Sequence, residues 1–230
     1  MPARRPTTKP PRKGEPQRKP PDIHLEVAPL EPDRWNDLAT LFKEGGDPKW
    51  CWCMYWRLRS KDFAITGARA NRTGLQALTA SAAATGSPAP GLIGYRDGRA
   101  VGWVSLGPRS DYERLERSTT LRPIDDRPVW SVVCFVVSRG ARTQGLASAL
   151  LDGAIAYARE RGAVALEAYP TPTEGARRPA ASLYRGTLGM FEAAGFKMVG
   201  WSTPQANSAP RPIVRLELGR EVGRGDDMDK

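Results

Sequence analysis

The stretch that decides the fold is Val132–Arg161, which reads VVCFVVSRGARTQGLASALLDGAIAYARER. It opens with the apolar, β-branched run 132–137, continues through a polar turn from Ser138 to Gly145, and ends in small and apolar residues near helical spacing. This order predicts a buried strand, a tight loop and a helix. A loop that opens a helix presents unpaired N–H groups and the positive end of the helix dipole. We therefore expect an anion site here, with phosphate as the usual ligand.

The flanking residues predict a single mixed α/β domain built on one sheet. Further strands are expected at 23–27, 92–96, 100–106, 163–169, 196–201 and 213–218, and further helices at 33–44, 72–85 and 182–194. Asn71 is the expected N-cap of the second of these helices. Asp97-Gly98 stands between two alternating runs and predicts a hairpin. Only the central strand–helix–strand unit has to be parallel.

Composition assigns the chain to the globular class. It has 230 residues, of which 40% are hydrophobic. No run approaches the roughly 20 apolar residues that a membrane span needs, so we expect no membrane partner and a cytoplasmic protein. Three cysteines suit a reducing compartment better than a disulfide framework.

The net charge of +10 is unevenly distributed. Residues 1–22 hold seven Lys or Arg and seven Pro, which predicts a disordered basic leader. Such a leader could hold nucleic acid or acidic lipid, but a solvated tail without a specific partner is the favoured interpretation. The folded domain is expected over 23–218, followed by a flexible tail, 219–230.

The segment Trp50–Arg57 has the most unusual composition, with four aromatic residues and two cysteines among eight. Its Cys51-x-Cys53 spacing raises the question of a metal. A zinc site needs four ligands, and the chain offers one His and one further Cys, Cys134, in a predicted strand. We therefore expect no metal, and interpret the segment as packed or pocket-lining.

Two motifs carry a resemblance to a known family. The hexapeptide Arg142–Ala147, RTQGLA, is similar to the Q/R-x-x-G-x-G/A signature of the GNAT acetyltransferase superfamily, and it lies between a β-branched strand and a helix as it does in that family. Phe191–Phe196, FEAAGF, resembles the later (Y/F)-E-x-x-G-F segment. The resemblance extends over about residues 23–218 and implies the GNAT fold, a mixed sheet flanked by helices.

The resemblance implies acetyl-CoA as the co-substrate. Backbone N–H groups of the loop would hold its pyrophosphate, with small residues at Gly145 and Ala147 so that the backbone can approach. The open edge of the central strand would pair with pantetheine, and one N–H there would stabilise the oxyanion by about 3 kcal/mol. The expected cofactor-binding residues are Cys134, Phe135, Val136, Val137, Arg142, Thr143, Gln144, Gly145, Leu146 and Ala147.

The implied reaction is direct attack of a neutral primary amine on the thioester. In much of the family a tyrosine at the start of the later motif protonates the leaving thiolate, but this chain has Phe191 there. Tyr184, on nearly the same face of the predicted helix 182–194, is the candidate substitute acid. The alternatives are a packing role, a hydrogen bond to a CoA oxygen, or a reaction that needs no acid because thiolate is an acceptable leaving group. Glu167 is the candidate base, and an ion-paired strand residue is the alternative. Cys134 is expected to be a buried small residue rather than a nucleophile.

The acceptor is expected on the side of the first two helices. Trp52, Cys53, Tyr55 and Trp56 are the candidate substrate-binding residues, and an aromatic wall suits an amine with an apolar or cationic body. The predicted function is acetyl transfer to a small-molecule amine. The rivals are a catalytically silent acyl-CoA-binding module, suggested by Phe191, and a nucleic-acid-associated protein, suggested by the leader. A monomer and a homodimer both remain open.

Overall fold

The computed structural model describes residues 25–44, 48–142, 144–172, 183–204 and 210–219. The predicted leader, 1–22, and all of the predicted tail beyond Gly219 lie outside the described residues. Within them, seven strands form one sheet in the order β1-β2-β3-β4-β5-β7-β6. The strands are β1 Glu26–Pro29, β2 Leu92–Arg96, β3 Arg99–Pro108, β4 Trp130–Val137, β5 Ala165–Ala168, β6 Lys197–Trp201 and β7 Pro212–Glu217.

Seven α-helices flank the sheet in the described part of the chain. They are α1 Trp35–Glu44, α2 Pro48–Cys51, α3 Ser60–Ile65, α4 Ala68–Thr85, α5 Glu113–Glu116, α6 Leu146–Glu160 and α7 Leu188–Ala193. Side chains of α1 and α4 and of the segment around Trp52 pack in the core of one sheet face. Those of α6 and α7 pack in the core of the other face. This mixed sheet with helices on both faces confirms the predicted fold class.

The central unit is as predicted. Strand β4 pairs parallel with β5, the strand that follows α6, and the other neighbouring pairs are antiparallel. Asp97 and Gly98, at φ 52° and 70°, form the two-residue turn of the β2–β3 hairpin. Close packing of α6 needs a glycine in β3, since a Cβ on Gly102 would lie 2.8 Å from Leu150.

Two helix predictions are wrong. Helix α4 begins at Ala68, with Gly67 as N-cap, so Asn71 lies inside the helix. The Asn71 amide instead donates a 2.9 Å hydrogen bond to the Trp50 carbonyl and ties α4 to α2. The helix expected at 182–194 is only the short α7, because Gly186 has φ +77° and the Thr187 side chain caps the helix. Tyr184 is therefore not helical.

Candidate active site

The loop before α6 presents a helix N-terminus without a side-chain cap. Gly145 is the N-cap at φ +79°, in the left-handed region that favours glycine. No side chain accepts a hydrogen bond at this cap, and the first turn of the helix carries no acidic residue. N–H groups at such a terminus need a partner, and the dipole favours a negative one. The described part of the loop therefore suits a pyrophosphate.

Polar side chains of the loop maintain its shape. Gln144 Nε2 donates to the Gly140 carbonyl at 3.1 Å, and Gln144 Oε1 accepts from Arg96 Nη1 at 2.5 Å. Arg142 Nε donates to the Val137 carbonyl at 3.3 Å. Leu146 is buried and Ala147 half-buried. Thr143 lies outside the described residues. The contacts of Gln144 and Arg142 order the loop from β4 to α6.

Strand β4 separates from β5 after Val132. The parallel pairing covers only Trp130–Val132, and the register between β3 and β4 shifts next to Ser105, opposite this point. The Phe135 N–H points to the side from which β5 has departed, where it meets the Tyr184 carbonyl. Because backbone direction alternates along a strand, Val137 faces the same edge. Beyond Val132 this edge of β4 has therefore lost the parallel partner strand β5.

Residues 183–188, here called the strap, run through the gap between β4 and the chain after β5. Phe135 N–H donates to the Tyr184 carbonyl at 2.6 Å. On the other side, Thr171 N–H donates to the Gly186 carbonyl at 3.0 Å, and Leu188 N–H donates back to Thr171 at 3.3 Å. The chain's own backbone therefore occupies the Phe135 donor, one of the groups expected to bind the cofactor.

The Tyr184 side chain is half-buried beside the strand edge. Its hydroxyl accepts a 2.8 Å hydrogen bond from Arg185 Nε. Burial raises the pKa of this phenol above its ordinary value of 10, so that it stays protonated at neutral pH. Phe191 is fully buried on the other face of the sheet, between Phe135 and Phe196. Tyr184 and Phe191 therefore lie on opposite faces of the sheet and do not belong to one helix. The prediction that they lie on the same helix face is wrong.

Glu167 is an ion-paired strand residue, the alternative left open by the sequence. It is 1% exposed, and its two oxygens lie 3.4 Å from Arg109 Nη1 and 3.0 Å from Arg215 Nη2. The Tyr169 hydroxyl donates a further 2.8 Å hydrogen bond. Both carboxylate oxygens are thus occupied by partners from the fold and are buried, so that neither is open to an amine. The structure therefore argues against Glu167 as the base.

The network around Glu167 supports the long connection between β3 and β4. Arg109 Nη2 donates to the carbonyls of Leu115 and Leu121, at 3.2 and 2.6 Å. Arg215 makes a bidentate pair with Asp125, at 2.6 and 3.1 Å. These bonds attach residues 109–125 to the sheet at several points. They position one wall of the cavity described next.

A cavity of about 640 Å³ opens between the first helices, this connection, the strap and the β6–β7 loop. We call it the basic cavity, because six of its described lining residues are cationic: Arg59, Lys61, Arg114, Arg117, Arg185 and Arg211. Tyr55, Trp56 and Leu121 supply its larger apolar surfaces, and serine and threonine hydroxyls line the remainder. Arg185 lines the cavity, and the carbonyl of the preceding residue, Tyr184, is bonded to Phe135 of β4. The cavity therefore adjoins this edge of β4.

Of the four residues expected to form an acceptor wall, Tyr55 and Trp56 line the basic cavity. The expectation is wrong for Trp52 and Cys53, which are 5% and 3% exposed and belong to the core. Trp52 stacks on Trp35 at 5.7 Å, and Cys53 Sγ lies 3.1 Å from Trp103 Nε1. The two residues have positive φ angles of 44° and 54°, a costly turn for non-glycine residues.

The cysteines take structural positions. Cys53 and Cys134 are buried in the same core cluster. The hydrogen bond to Cys134, followed by burial, raises the pKa of the Cys53 thiol well above its usual value. Among the described residues, no three His, Cys, Asp or Glu side chains are grouped so that they could hold a metal ion. No helix in the described ranges has the length and apolarity to cross a membrane.

Several solved structures of acetyltransferases are similar to this chain. An N-acetyltransferase from Staphylococcus aureus Mu50 superimposes with a TM-score of 0.49 at 14% identity, over 85% of this chain and 99% of that one. The putative acetyltransferase YncA from Salmonella typhimurium, with its cofactor acetyl-CoA, has a TM-score of 0.50 at 14% identity, over 86% and 96%. The PaiA N-acetyltransferase from Thermoplasma acidophilum, in complex with coenzyme A, has a TM-score of 0.47 at 11% identity, over 85% and 99%.

Sequence comparison identifies the family. No curated protein matches the chain significantly. The family model described as Acetyltransferase (GNAT) family matches residues 38–190, which include most of α1, the β4–loop–α6 unit and the strap. This match spans more than half of the chain and confirms the resemblance noted in the sequence. The chain therefore belongs to the GNAT family of acetyltransferases and is an enzyme of the acetyl-CoA-dependent N-acetyltransferase class.

Proposed function

We propose that this enzyme transfers the acetyl group of acetyl-CoA to a primary amine of a small molecule by direct attack. The observation that carries the proposal is the juxtaposition of three features: the helix N-terminus at Gly145, the open edge of β4, and a cavity that adjoins this edge. The first two suit a phosphate-bearing thioester, and the third has room for a small acceptor. No separate nucleophile is needed, since Cys134 is buried in a strand.

The cofactor side of the site is formed by backbone. N–H groups at the start of α6 would hold the pyrophosphate, and Gly145 allows the loop to approach it. Along β4, Phe135 and Val137 face the open edge and would pair with the pantetheine arm. Acetyl-CoA supplies the acetyl group as a thioester. For Phe135 to serve it, the Tyr184 carbonyl has to give up the Phe135 N–H.

Tyr184 is the proposed acid. Its phenol remains protonated because burial raises its pKa, so that it holds the proton a leaving thiolate needs. Arg185 Nε fixes the position of the phenol oxygen. A thiol pKa near 8.5 makes the unprotonated thiolate an acceptable leaving group, so we expect the hydroxyl to contribute only a moderate rate factor.

The basic cavity itself favours the reactive form of the amine. None of its described lining residues is an Asp or Glu, so none of them offers a carboxylate that could take the proton of an ammonium ion. The proton would leave to water instead. Positive charges close to an ammonium group disfavour its charged form and lower its pKa from about 10 toward neutral pH. The cationic lining would therefore take the place of a strong base, the role first considered for Glu167.

Free thiol release tests this proposal. The full-length chain is mixed with acetyl-CoA and a panel of primary amines, and released coenzyme A is followed with a thiol reagent. We expect release above the rate of spontaneous hydrolysis for a subset of amines. Acetyl-CoA binding without release for any amine would instead support a silent binding module.

A further inference from the structure

Among the described residues, the basic cavity has more cationic than anionic side chains. Glu113 pairs with Arg59 and Arg117, at 2.5 and 3.1 Å, and so compensates one charge among these two residues. Within the described residues, no carboxylate lies within ion-pair distance of Lys61, Arg114 or Arg185. Cations gathered in a concave site attract anions and repel cations.

Two of these guanidinium groups are held by aromatic rings. Arg114 lies over Tyr55, with its Cζ 4.1 Å from the ring centroid, and Arg185 lies over Trp56 at 4.8 Å. The two rings contact each other edge to face at 5.0 Å. Within the described residues, both arginines thus stack on neighbouring rings without a carboxylate partner, and their terminal nitrogens are available to an oxyanion.

The same contacts disfavour one of the two kinds of acceptor that the sequence suggested. A cationic amine body would have to stack on Tyr55 or Trp56, but arginine side chains already occupy faces of these rings. A polycationic amine would also meet further cations along the wall, among them Lys61 and Arg117. Of the two acceptor bodies considered from the sequence, apolar or cationic, the cationic one is therefore disfavoured in this cavity.

We propose that the acceptor carries a carboxylate or a phosphate on the same small molecule as its amine, and that Arg114 and Arg185 bind this oxyanion. The identity of the site as the acceptor site rests on the acetyl-transfer function proposed above. The oxyanion would anchor the molecule between the two guanidinium forks, while its amine reaches toward the β4 edge next to Tyr184. Serine and threonine hydroxyls, such as those of Ser118 and Thr203, can complete the hydrogen bonding.

Matched pairs of amines test the proposal. Amino acids are compared with their amides, phosphoethanolamine with ethanolamine, and spermidine serves as the polycation. We expect kcat/KM to be at least about tenfold higher for the oxyanion-bearing member of a pair, since charge-assisted hydrogen bonds are roughly twice as strong as neutral ones. The carboxylate and phosphate arms distinguish the two oxyanions. Equal or higher kcat/KM for the neutral amines or for spermidine would overturn the proposal.

Variants locate the effect. Arg114→Gln should raise KM for the oxyanion-bearing amine about tenfold and leave KM for its neutral partner and for acetyl-CoA unchanged. Arg185→Gln should raise the same KM about tenfold, and it should also lower kcat for every amine because Arg185 Nε holds the Tyr184 phenol. Arg159→Gln, on the exposed face of α6, is the control and should leave all of these KM values unchanged. If both variants weaken acetyl-CoA to the same degree as the amine, the cavity binds cofactor phosphates and the proposal fails.

A binding measurement separates this proposal from the proposed function. Calorimetric titration of phosphoethanolamine into the wild-type chain needs neither turnover nor a stable variant. Saturable binding that salt weakens, with ethanolamine silent, supports the oxyanion site even if no amine is acetylated; in that case the acetyl-transfer function alone fails. Turnover of ethanolamine without detectable phosphoethanolamine binding would support the acetyl-transfer function and overturn the oxyanion site.

Discussion

The backbone N–H of Phe135 donates a 2.6 Å hydrogen bond to the carbonyl oxygen of Tyr184, across the gap where β4 and β5 separate. A single peptide group of the strap thus takes the place on β4 that we assign to the pantetheine arm. Cofactor binding and this hydrogen bond exclude each other. We therefore expect acetyl-CoA to displace the strap from β4.

Amide hydrogen exchange followed by NMR tests this displacement. On saturation with acetyl-CoA, the Phe135 amide should stay protected, because one acceptor replaces another. The Leu188 and Thr171 amides, which pair the strap with the chain after β5, should exchange faster as the strap moves. Unchanged exchange throughout 183–188 in the saturated complex would show that the cofactor does not use the Phe135 donor.

Gly145→Ala should weaken acetyl-CoA binding. The residue has φ +79°, so a side chain strains the loop and crowds the backbone that approaches the pyrophosphate. We expect KM for acetyl-CoA to rise at least about tenfold. The matched control is Gly162→Ala, which has φ +76° and open space around a Cβ. It should lower stability similarly in thermal melts while KM stays at the wild-type value; equal KM values for both variants would contradict the assignment.

Tyr184→Phe should lower kcat by about tenfold, below the usual range for general acids, because a thiolate leaves without strong help. KM for both substrates should change little. The Tyr184 pKa lies above its ordinary value, so the phenol is still protonated when pH rises past 8. The wild-type rate should therefore show no decline from this group between about pH 8 and 10. The control is Tyr95→Phe, which removes a hydroxyl remote from the site. If Tyr95→Phe lowers kcat as much as Tyr184→Phe does, Tyr184 is not the acid.

Glu167→Gln should act on stability rather than on chemistry. The carboxylate is 1% exposed and is the one buried partner of Arg109 and Arg215 among the described residues. Its loss leaves these buried guanidinium groups with only the more exposed carboxylates of Glu116 and Asp125. Removing one partner of a buried ion pair costs about 3–5 kcal/mol, measurable by urea unfolding. Glu217→Gln, at the exposed pair with Arg127, should cost at most about 1 kcal/mol. A large fall in kcat with unchanged stability would restore Glu167 as a base.

Asp125 should make folding sensitive to acid. Hydrogen bonding to Arg215 holds the pKa of this carboxyl below its usual value. Because the folded pKa is the lower one, its contribution is present above the ordinary pKa near 4 and is lost as pH falls through the folded value. Asp125→Asn should therefore flatten the decline of the unfolding free energy below about pH 4, measured by urea titrations at several pH values. An identical decline in wild type and variant would show that the pair does not contribute.

Local patterns in the sequence predicted the fold well. The Asp97-Gly98 turn, the β4–loop–α6 unit and the glycine after α7 each depend on residues close together in the chain. Gly195, for example, has the positive φ expected of a residue that follows a helix. The helix at 182–194 failed because Gly186 and Thr187 break the pattern locally, although the apolar spacing continues past them.

The site depended on contacts that no local pattern reveals. Arg114 and Arg185 are ordinary surface arginines in sequence, and only the fold places them on Tyr55 and Trp56. Their one signal in the sequence is that residues 23–218 contain more Lys and Arg than Asp and Glu. An ion pair was one of the interpretations of Glu167, a charged residue within a predicted strand. Its partners Arg109 and Arg215 come from distant elements of the chain and could not be identified from the sequence.

The central claim is acetyl transfer from acetyl-CoA to an amine, and product stoichiometry tests it most directly. The full-length chain is incubated with acetyl-CoA and phosphoethanolamine or an amino acid; free coenzyme A is measured by its thiol and the N-acetylated amine by mass spectrometry. The account predicts that the two products appear in equal amounts and in proportion to enzyme. Thiol release without N-acetylated amine, or no release with any amine while acetyl-CoA binds, would contradict it.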